Sequence, residues 1–459
     1  MKRWWLIGLW FGTICGVGLT CTVGLCIPTY TQSVVPNNAE PEPAVPAKDE
    51  VVFVQRADNL SEKLLALGDK QANVRTVSFQ RIPSDDDVVA LGSLPNLRGV
   101  TLSLPQEGTD EAIAVLTRLP DIRELGLLCY GATDAGVRLL NYFPELEKLT
   151  LRGNAYTDAG LASVGDLKRL RELHLSSSLI TDDGLVFLGK LTELRTLSLY
   201  CGESVTDAGL SQLQYLYNLE NLVISCPLMT AEGLSYLTHL KLLKRLNLSM
   251  HQGLTGSGIA PIKYLRQLVE LKINDQNREK FLDDTGMASI GQLVNLRKLE
   301  LLNVHNITDA GLSQLQYLYQ LEDLTIRGNA ITGEGLATLG RLQSLRRLVL
   351  ASQGLTVPGF SHIRNLQRVT ELYIDGTVTN EMLQFLENNT TLESLGIRSA
   401  VESGGGGFRL GETIDNAGME PLKTLRQLKS LDIYYTNVTA LGRYRLQEAL
   451  PDCQIKSRR

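Results

Sequence analysis

Leucine and other large apolar residues recur along this chain in one pattern, repeated about every 24 residues between Val74 and Ile455. Each copy reads L-x-x-L-x-L, continues through a polar turn into T-D-x-G-L, and ends in a second apolar run. A fixed period of this length is the signature of a repeat architecture. The hexad occurs 16 times, opening at Val74, Leu97, Ile122, Leu146, Leu170, Leu194, Leu219, Leu243, Leu268, Leu296, Leu321, Leu345, Val369, Leu392, Leu428 and Leu450.

The copy from 146 to 169 shows which elements one repeat predicts. Leu149 and Leu151 are two residues apart, which is typical of a short strand with one buried face. Leu161 and Val164 are three residues apart, as on a short helix. One repeat therefore predicts one strand followed by one helical return.

A single repeat cannot fold alone. It buries about seven apolar side chains, worth about 10 to 20 kcal/mol, against about 24 to 48 kcal/mol for ordering its backbone. Stacking lets each strand pair in parallel with the next and joins the leucine rows, so stability becomes a sum over interfaces. The period predicts a curved α/β solenoid.

The T-D-x-G-L step indicates how each helix begins. A threonine hydroxyl before an apolar helical run can accept an unsatisfied backbone N–H, and an aspartate beside it meets the positive helix end. The glycine that follows indicates close packing or a tight turn. The residues concerned are Thr157, Thr181, Thr206 and Thr308, Asp158, Asp182, Asp207 and Asp309, and Gly160, Gly184, Gly209 and Gly311.

These motifs resemble the leucine-rich repeat family, and the wording ITDAGLSQLQYL resembles its T-D-x-G-L subtype, over about 380 of the 459 residues. The subtype is found in large bacterial repeat proteins and beside F-box domains in ubiquitin-ligase receptors. The resemblance implies a right-handed horseshoe, with a parallel sheet on its concave face and short helices on its convex face. It also implies binding of other proteins, each member with its own partner. The segment from Pro28 to Asn73 is too short for an F-box module, which argues against a ubiquitin-ligase receptor.

The N-terminus predicts a membrane anchor. Residues 1–3 would form a cytoplasmic stub, and 4–27 carry no charge, enough for a helix of about 36 Å that crosses a bilayer. The basic end should stay in the cytoplasm, so the repeats would face outside. The alternative is a signal peptide that is cleaved to release a secreted protein, although no clean small-x-small site follows the apolar core.

Two segments precede the repeats. Residues 28–50 are rich in proline and predict a disordered linker, because such a composition cannot bury a core. Residues 51–73 contain the amphipathic stretch NLSEKLLALG and predict a capping helix over the first repeat. The repeat domain is assigned to 74–459.

Charge and cysteines narrow the function classes further. The formal net charge is -5, with no basic stripe that would support nucleic-acid binding. Cys201 and Cys226 occupy the same position of adjacent repeats, two residues past the last strand residue, which allows a disulfide in an oxidising compartment. Two small residues at a strand exit are the alternative.

No motif for chemistry emerges from the sequence. The five histidines fall at different positions of the repeat, without the spacing of a metal site. Nucleophile-elbow, phosphate-loop and dinucleotide fingerprints are missing. The sequence therefore predicts no catalytic residues, no metal and no cofactor.

Side chains between the strand leucines predict a binding surface. Eight of 14 hexads carry a basic residue at the second position, and acids recur at the third, so we expect neighbouring rows of opposite sign to pair across the sheet. Tyrosine, arginine and carboxylate side chains, which interfaces favour, are concentrated on three repeats near the C-terminal end. A surplus segment in this region, VESGGGGFRLGE, predicts a flexible loop that could fold over these side chains. The predicted protein-binding residues are Tyr373, Asp375, Arg398, Asp432 and Tyr434.

The sequence therefore predicts a membrane-tethered, outward-facing leucine-rich repeat solenoid that binds a protein or a surface glycan and performs no catalysis. Two alternatives stay open. One is a structural or adhesive element of a cell envelope. The other is a soluble adaptor for protein turnover, resembling the F-box relatives.

Overall fold

The computed structural model describes residues 50–55, 58–104, 108–128, 130–250, 256–275, 282–328, 330–402, 408–410 and 414–458, all within one compact unit, Lys48–Arg459. The predicted stub, the predicted transmembrane segment 4–27 and the predicted linker up to residue 49 lie outside these ranges. Inside them, no helix combines the length and the apolar composition needed to cross a bilayer.

The repeats form one parallel sheet, whose strands pair in chain order. Across the described residues this sheet has 17 strands, each hydrogen-bonded to the next. They are β1 Glu50–Val54, β2 Val74–Phe79, β3 Gly99–Leu102, β4 Glu124–Leu128, β5 Lys148–Arg152, β6 Glu172–Ser177, β7 Thr196–Cys201, β8 Asn221–Ser225, β9 Arg245–Met250, β10 Glu270–Asp275, β11 Lys298–Leu302, β12 Asp323–Arg327, β13 Arg347–Ser352, β14 Glu371–Gly376, β15 Ser394–Arg398, β18 Ser430–Tyr434 and β19 Gln454–Arg458. The remaining strands, β16 Ala400–Glu402 and β17 Phe408–Leu410, form a separate antiparallel hairpin.

Short helices return the chain between strands. The α-helices are α1 Leu60–Leu67, α2 Asp85–Gly92, α3 Thr109–Leu116, α4 Asp134–Arg138, α5 Asp158–Val164, α6 Asp182–Leu188, α7 Asp207–Leu210, α8 Ala231–Tyr236, α9 Asp284–Ile290, α10 Asp309–Ser313, α11 Leu336–Leu339, α12 Val357–Phe360, α13 Asn380–Leu383 and α14 Ala440–Ala449. Short 3-10 turns lie at Gly68–Asn73, Leu139–Tyr142, Ser211–Tyr215, Leu237–His239, Ser257–Tyr264, Gln314–Tyr317, Ser361–Asn365, Gln384–Leu386, Ala417–Met419 and Pro421–Thr424. The predicted α/β solenoid is confirmed.

Leucines from strands and helices meet in one continuous core. In β5, Leu149 and Leu151 are fully buried, and Leu161 and Val164 of α5 join the same cluster. The hexad's first residue, such as Leu146, is also buried but precedes its strand by two residues. This repeat therefore contributes three hexad side chains to the core, while only two of them belong to the strand itself.

A strand that the hexads do not predict begins the sheet. Residues Glu50–Val54 form β1, which pairs in parallel with β2 and alternates buried Val52 and Val54 with exposed Phe53. This segment lies where the sequence predicts the end of the linker and the start of a capping region. The amphipathic stretch that follows is helical as α1, with the Asn59 side chain accepting the backbone N–H groups of Ser61 and Glu62.

The threonine caps are present as predicted, but the aspartates act between repeats. Thr157 Oγ1 accepts the Ala159 N–H at the start of α5. Asp134, from the preceding repeat, accepts the Thr157 backbone N–H at 2.7 Å, its hydroxyl at 2.8 Å, and the Gly160 N–H at 2.9 Å. Burial opposes ionisation, but these hydrogen bonds outweigh it and hold the pKa of Asp134 below its usual value.

This arrangement repeats as a ladder that runs along the solenoid. Its members are Asp110–Thr133, Asp134–Thr157, Asp158–Thr181, Asp182–Thr206, Asp207–Thr230, Asp284–Thr308 and Asp309–Thr332. The glycine of the motif makes room for the incoming carboxylate: a Cβ at Gly160 would lie 2.8 Å from Asp134 Oδ1. Close packing, the first of the two predicted reasons for this glycine, is therefore the one that applies here.

Candidate functional site

One face of the sheet is left open by the helices. We call it the open face, defined by the third and fifth positions of each hexad and by the residue directly after the hexad, here called the seventh position, as in Lys148, Thr150 and Arg152 of β5. These side chains are half-buried or exposed, whereas the alternating leucines point into the core. Because strands pair without a register shift over these positions, equivalent residues form continuous rows across the sheet.

The structure brings all five predicted binding residues together on adjacent strands. Tyr373 and Asp375 lie on β14, Arg398 on β15, and Asp432 and Tyr434 on β18. The register aligns Asp375 with Arg398 and Arg398 with Tyr434. All five are half-buried on the open face. We call this set the tyrosine patch; that it contacts a partner stays a prediction.

Gly396, which sequence reasoning did not select, shapes the tyrosine patch. It lies between Tyr373 and Asp432 in the fifth-position row. The Tyr373 ring lies against it, so that a Cβ at Gly396 would be only 3.0 Å from Tyr373 Cε1. The Tyr373 hydroxyl is 2.9 Å from Ser394 Oγ. The ring is therefore fixed flat on the neighbouring strand.

Charged side chains of the patch are also held in place. Arg398 lies 3.7 Å from the carboxylate of Asp375, with its guanidinium 5.0 Å from the ring centre of Tyr435. Asp432 Oδ1 is buried and has no hydrogen-bond partner within the described part of the chain. The patch thus presents a fixed cation and a fixed aromatic ring.

The surplus segment after β15 differs from the predicted flexible loop. Within it, Ala400–Glu402 and Phe408–Leu410 pair as an antiparallel hairpin directly after β15. Residues 403–407 and 411–413 lie outside the described ranges. The two strands give this insertion regular structure at its base, because extended neighbours can satisfy each other's backbone hydrogen bonds.

Charged side chains at the second hexad position form ion pairs with the second position of the neighbouring repeat. The predicted pairs between the second and third positions are not the ones seen here. Lys244 and Glu220 are 3.0 Å apart, Lys429 and Glu393 are 2.7 Å apart, and each pair joins second positions of successive repeats. Side chains at the second position precede the strand, so the nearest opposite charge is the one a strand spacing away. These exposed pairs contribute little stability.

Cys201 and Cys226 are bonded in the structure, with their Cα atoms 4.8 Å apart. Cys201 ends β7, and Cys226 directly follows β8. The bond joins two successive repeats at the edge of the open face. Whether it forms in the protein's own compartment stays a prediction.

Histidines make local contacts. His174 lies on the open face, with Nε2 2.7 Å from Glu172 and Nδ1 2.8 Å from Ser198. Within the ranges described above, no group of three or more His, Cys, Asp and Glu side chains is placed to hold a metal ion.

Comparison with known proteins finds similar solved structures only. No family model and no curated protein sequence matches the chain. An internalin from Listeria monocytogenes is 22% identical with a TM-score of 0.49, over 69% of this chain and 82% of that one. A leucine-rich repeat protein from Leptospira interrogans is 18% identical with a TM-score of 0.40, over 87% and 98%. TLR13, solved in complex with an RNA named ssRNA13, is 18% identical with a TM-score of 0.48, over 80% and 55%.

Proposed function

We propose that this chain is a non-catalytic, protein-binding leucine-rich repeat scaffold, tethered to a membrane by residues 4–27 with its repeats facing the periplasm or the cell exterior. The observation that carries the proposal is the tyrosine patch. Its five side chains come from three adjacent strands of one rigid sheet, and they include the residue types that dominate interface energetics.

Fixed geometry makes these side chains suited to binding. Association costs free energy for every side chain that must be ordered at the interface. Tyr373 is already held by Gly396 and Ser394, and Arg398 by Asp375. Docking of a partner would therefore cost little further side-chain entropy on this chain.

We therefore assign Tyr373 and Tyr434 as the aromatic contacts of the interface, beside the half-buried Asp432.

The test is capture of a protein by the full-length chain, immobilised in a mild detergent, from an envelope extract of the source cells. The Tyr373→Ala/Tyr434→Ala double variant should retain the captured protein at least about tenfold more weakly, since buried tyrosine anchors are each worth 1 kcal/mol or more. The matched control is Tyr317→Ala/Tyr319→Ala, which removes two tyrosines of 57% and 55% exposure from the helical side and its turn.

These measurements distinguish loss of the binding site from loss of the folded structure. Equal retention by both double variants would show that the tyrosine patch is not the interface. Far-ultraviolet circular dichroism of both variants checks that the solenoid is intact. Fractionation tests the membrane part independently: recovery of the full-length chain in the soluble cytoplasm would contradict the tether and favour a soluble adaptor.

A further inference from the structure

A depression of about 580 Å³ opens on the open face between β10 and β14, beside the tyrosine patch. Its floor is formed by Thr325 and Val349, the small fifth-position residues of β12 and β13, which are 6% and 8% exposed. Tyr373 closes one side, and Leu302 lies on the lining near the exit of β11. The depression exists because two short side chains stand in a row between longer ones.

Most charges around the depression are already paired. The carboxylate of Glu300 lies 3.1 Å from Lys272 Nζ and 2.8 Å from Lys298 Nζ. Burial opposes its ionisation, but these two lysines outweigh burial and lower the pKa of Glu300. These three side chains are therefore occupied with one another.

The neighbouring Arg347 is occupied in the same way. It pairs with Asp323 at 3.1 Å and with Glu371 at 3.2 Å. Its guanidinium also lies 5.4 Å from the centre of the Tyr373 ring. Arg347 therefore lines the depression, but its guanidinium is already paired and is not available to a ligand.

Arg327 differs from these residues. It ends β12 at the seventh position, lines the depression and is exposed. Over the described part of the chain its guanidinium has no ion pair or hydrogen bond. Its neighbour on β13 is the small Ala351, which leaves the guanidinium accessible from the side of the depression. An arginine in this position offers a planar fork of donors to a carboxylate.

We propose that the depression binds an acidic side chain of a protein segment, with the carboxylate on Arg327 and an adjacent apolar side chain on Leu302 and Val349. The proposal rests on the proposed protein-binding function and specifies the chemistry of the partner. Together with the partners named above, the lining has four positive groups, Lys272, Lys298, Arg327 and Arg347, and three negative groups, Glu300, Asp323 and Glu371, hence a surplus of one positive charge. The chain as a whole carries -5, so the local sign is opposite to that of the molecule.

The experiment uses the full-length chain in detergent and short blocked peptides of sequence Leu-Glu-Leu and Leu-Gln-Leu, with binding followed by saturation-transfer NMR. The glutamate peptide should bind at least about fivefold more tightly than the glutamine peptide, the effect expected of one charge-assisted hydrogen bond. Arg327→Gln should abolish this preference. The matched control is Arg152→Gln, which removes an exposed arginine from the same position of β5, outside the depression.

Each other result overturns the proposal. Equal binding of the two peptides, no binding of either, or loss of the preference in both variants would remove Arg327 as the carboxylate site. Glucuronate is a sugar carboxylate without the leucine side chains of the peptide. If it bound as tightly as the glutamate peptide, the proposed apolar contact would play no part. The proposed function fails separately, if the tyrosine double variant captures as much protein as its control.

Discussion

Asp182 accepts two hydrogen bonds from Thr206 of the following repeat, one from the backbone N–H and one from the hydroxyl, both at 2.7 Å. Asp183, the next residue of the same helical turn, is exposed and has no side-chain partner within the described residues. Both carboxylates lie at the N-terminus of α6 and both experience its dipole. Only Asp182 connects one repeat to the next.

Replacing the two aspartates should therefore have unequal effects. We expect Asp182→Ala to lower the free energy of unfolding by about 1 to 3 kcal/mol, because it leaves two donors unsatisfied. Asp183→Ala should cost about 0.3 to 1 kcal/mol through the helix dipole alone. Urea unfolding followed by circular dichroism measures both. Equal losses would show that the contact with Thr206 adds nothing.

Glu172 predicts a specific acid sensitivity. The hydrogen bond from His174, followed by the contact with Lys148 at 2.8 Å, lowers the pKa of this carboxyl from 4.5 to about 2 against the effect of burial. Its charged form is favoured in the folded state, so its contribution to stability is complete above pH 4.5 and is lost as the pH falls through about 2.

Urea midpoints measured at intervals across this pH range should fall more steeply for the wild type than for Glu172→Gln. Lys148→Met keeps the carboxyl but removes one of its contacts, so it should move the decline to higher pH. Identical profiles for the wild type and Glu172→Gln would contradict the assignment.

Gly396→Ala should weaken partner capture without unfolding the solenoid. The added methyl group displaces the Tyr373 ring and breaks its contact with Ser394. We expect retention of the captured protein to fall by about threefold to tenfold, since a misplaced aromatic anchor loses part of its contact. Gly92→Ala is the control, because its nearest neighbour beyond the helix, Leu119 Cδ2, is 4.0 Å from the added Cβ. Unchanged capture by Gly396→Ala would mean that the ring's position does not matter.

The disulfide predicts a redox-dependent stability. Cys201 and Cys226 are 25 residues apart in sequence, and closing such a loop stabilises by about 3 kcal/mol. Cys201→Ser should lose this amount under oxidising conditions and match the wild type once a reductant is present. Non-reducing mass spectrometry identifies the linked peptides. Finding both thiols free in protein taken from oxidising conditions would contradict the bond.

Cys453 offers an internal comparison for thiol chemistry. It is buried, and burial, followed by the charge of Asp432, raises its pKa to about 11. Because the thiolate is the reactive form, Cys453 should react with a maleimide only after unfolding.

Much of the fold follows from the hexads, because alternating leucines such as Leu149 and Leu151 fix both the strand and its buried face. The first strand, β1, was missed because VVFV lacks the leucine hexad. The inter-repeat role of Asp134 was missed for a different reason. Helix-cap rules consider neighbours in sequence, whereas Thr157 is 23 residues away. The constant spacing of the T-D-x-G-L steps was the signal that could have revealed it.

The site was partly predictable for the same reason as the fold. Equal positions of successive hexads become neighbours, so Asp375, Arg398 and Tyr434 could be placed together from spacing alone. Contacts between different positions could not be foreseen. The seating of Tyr373 on Gly396, and the unpaired state of Arg327 beside the depression, depend on side-chain directions that a one-dimensional pattern does not contain.

The Asp–Thr ladder is interrupted twice, and this has a mechanical consequence. Ala231 and Gly256 stand where two consecutive repeats would carry its aspartate, and Gly333 and Val357 do so again further on. Ala231 and Gly256 have no carboxylate that could form the contact. At the second place Thr356 donates its backbone N–H and its hydroxyl to the Thr332 carbonyl oxygen instead, at 2.9 and 3.3 Å. A chain stretched between its ends should therefore lengthen in several discrete steps. Separation should begin at the interruptions, because the coils there lack the aspartate contact that joins the other neighbouring coils.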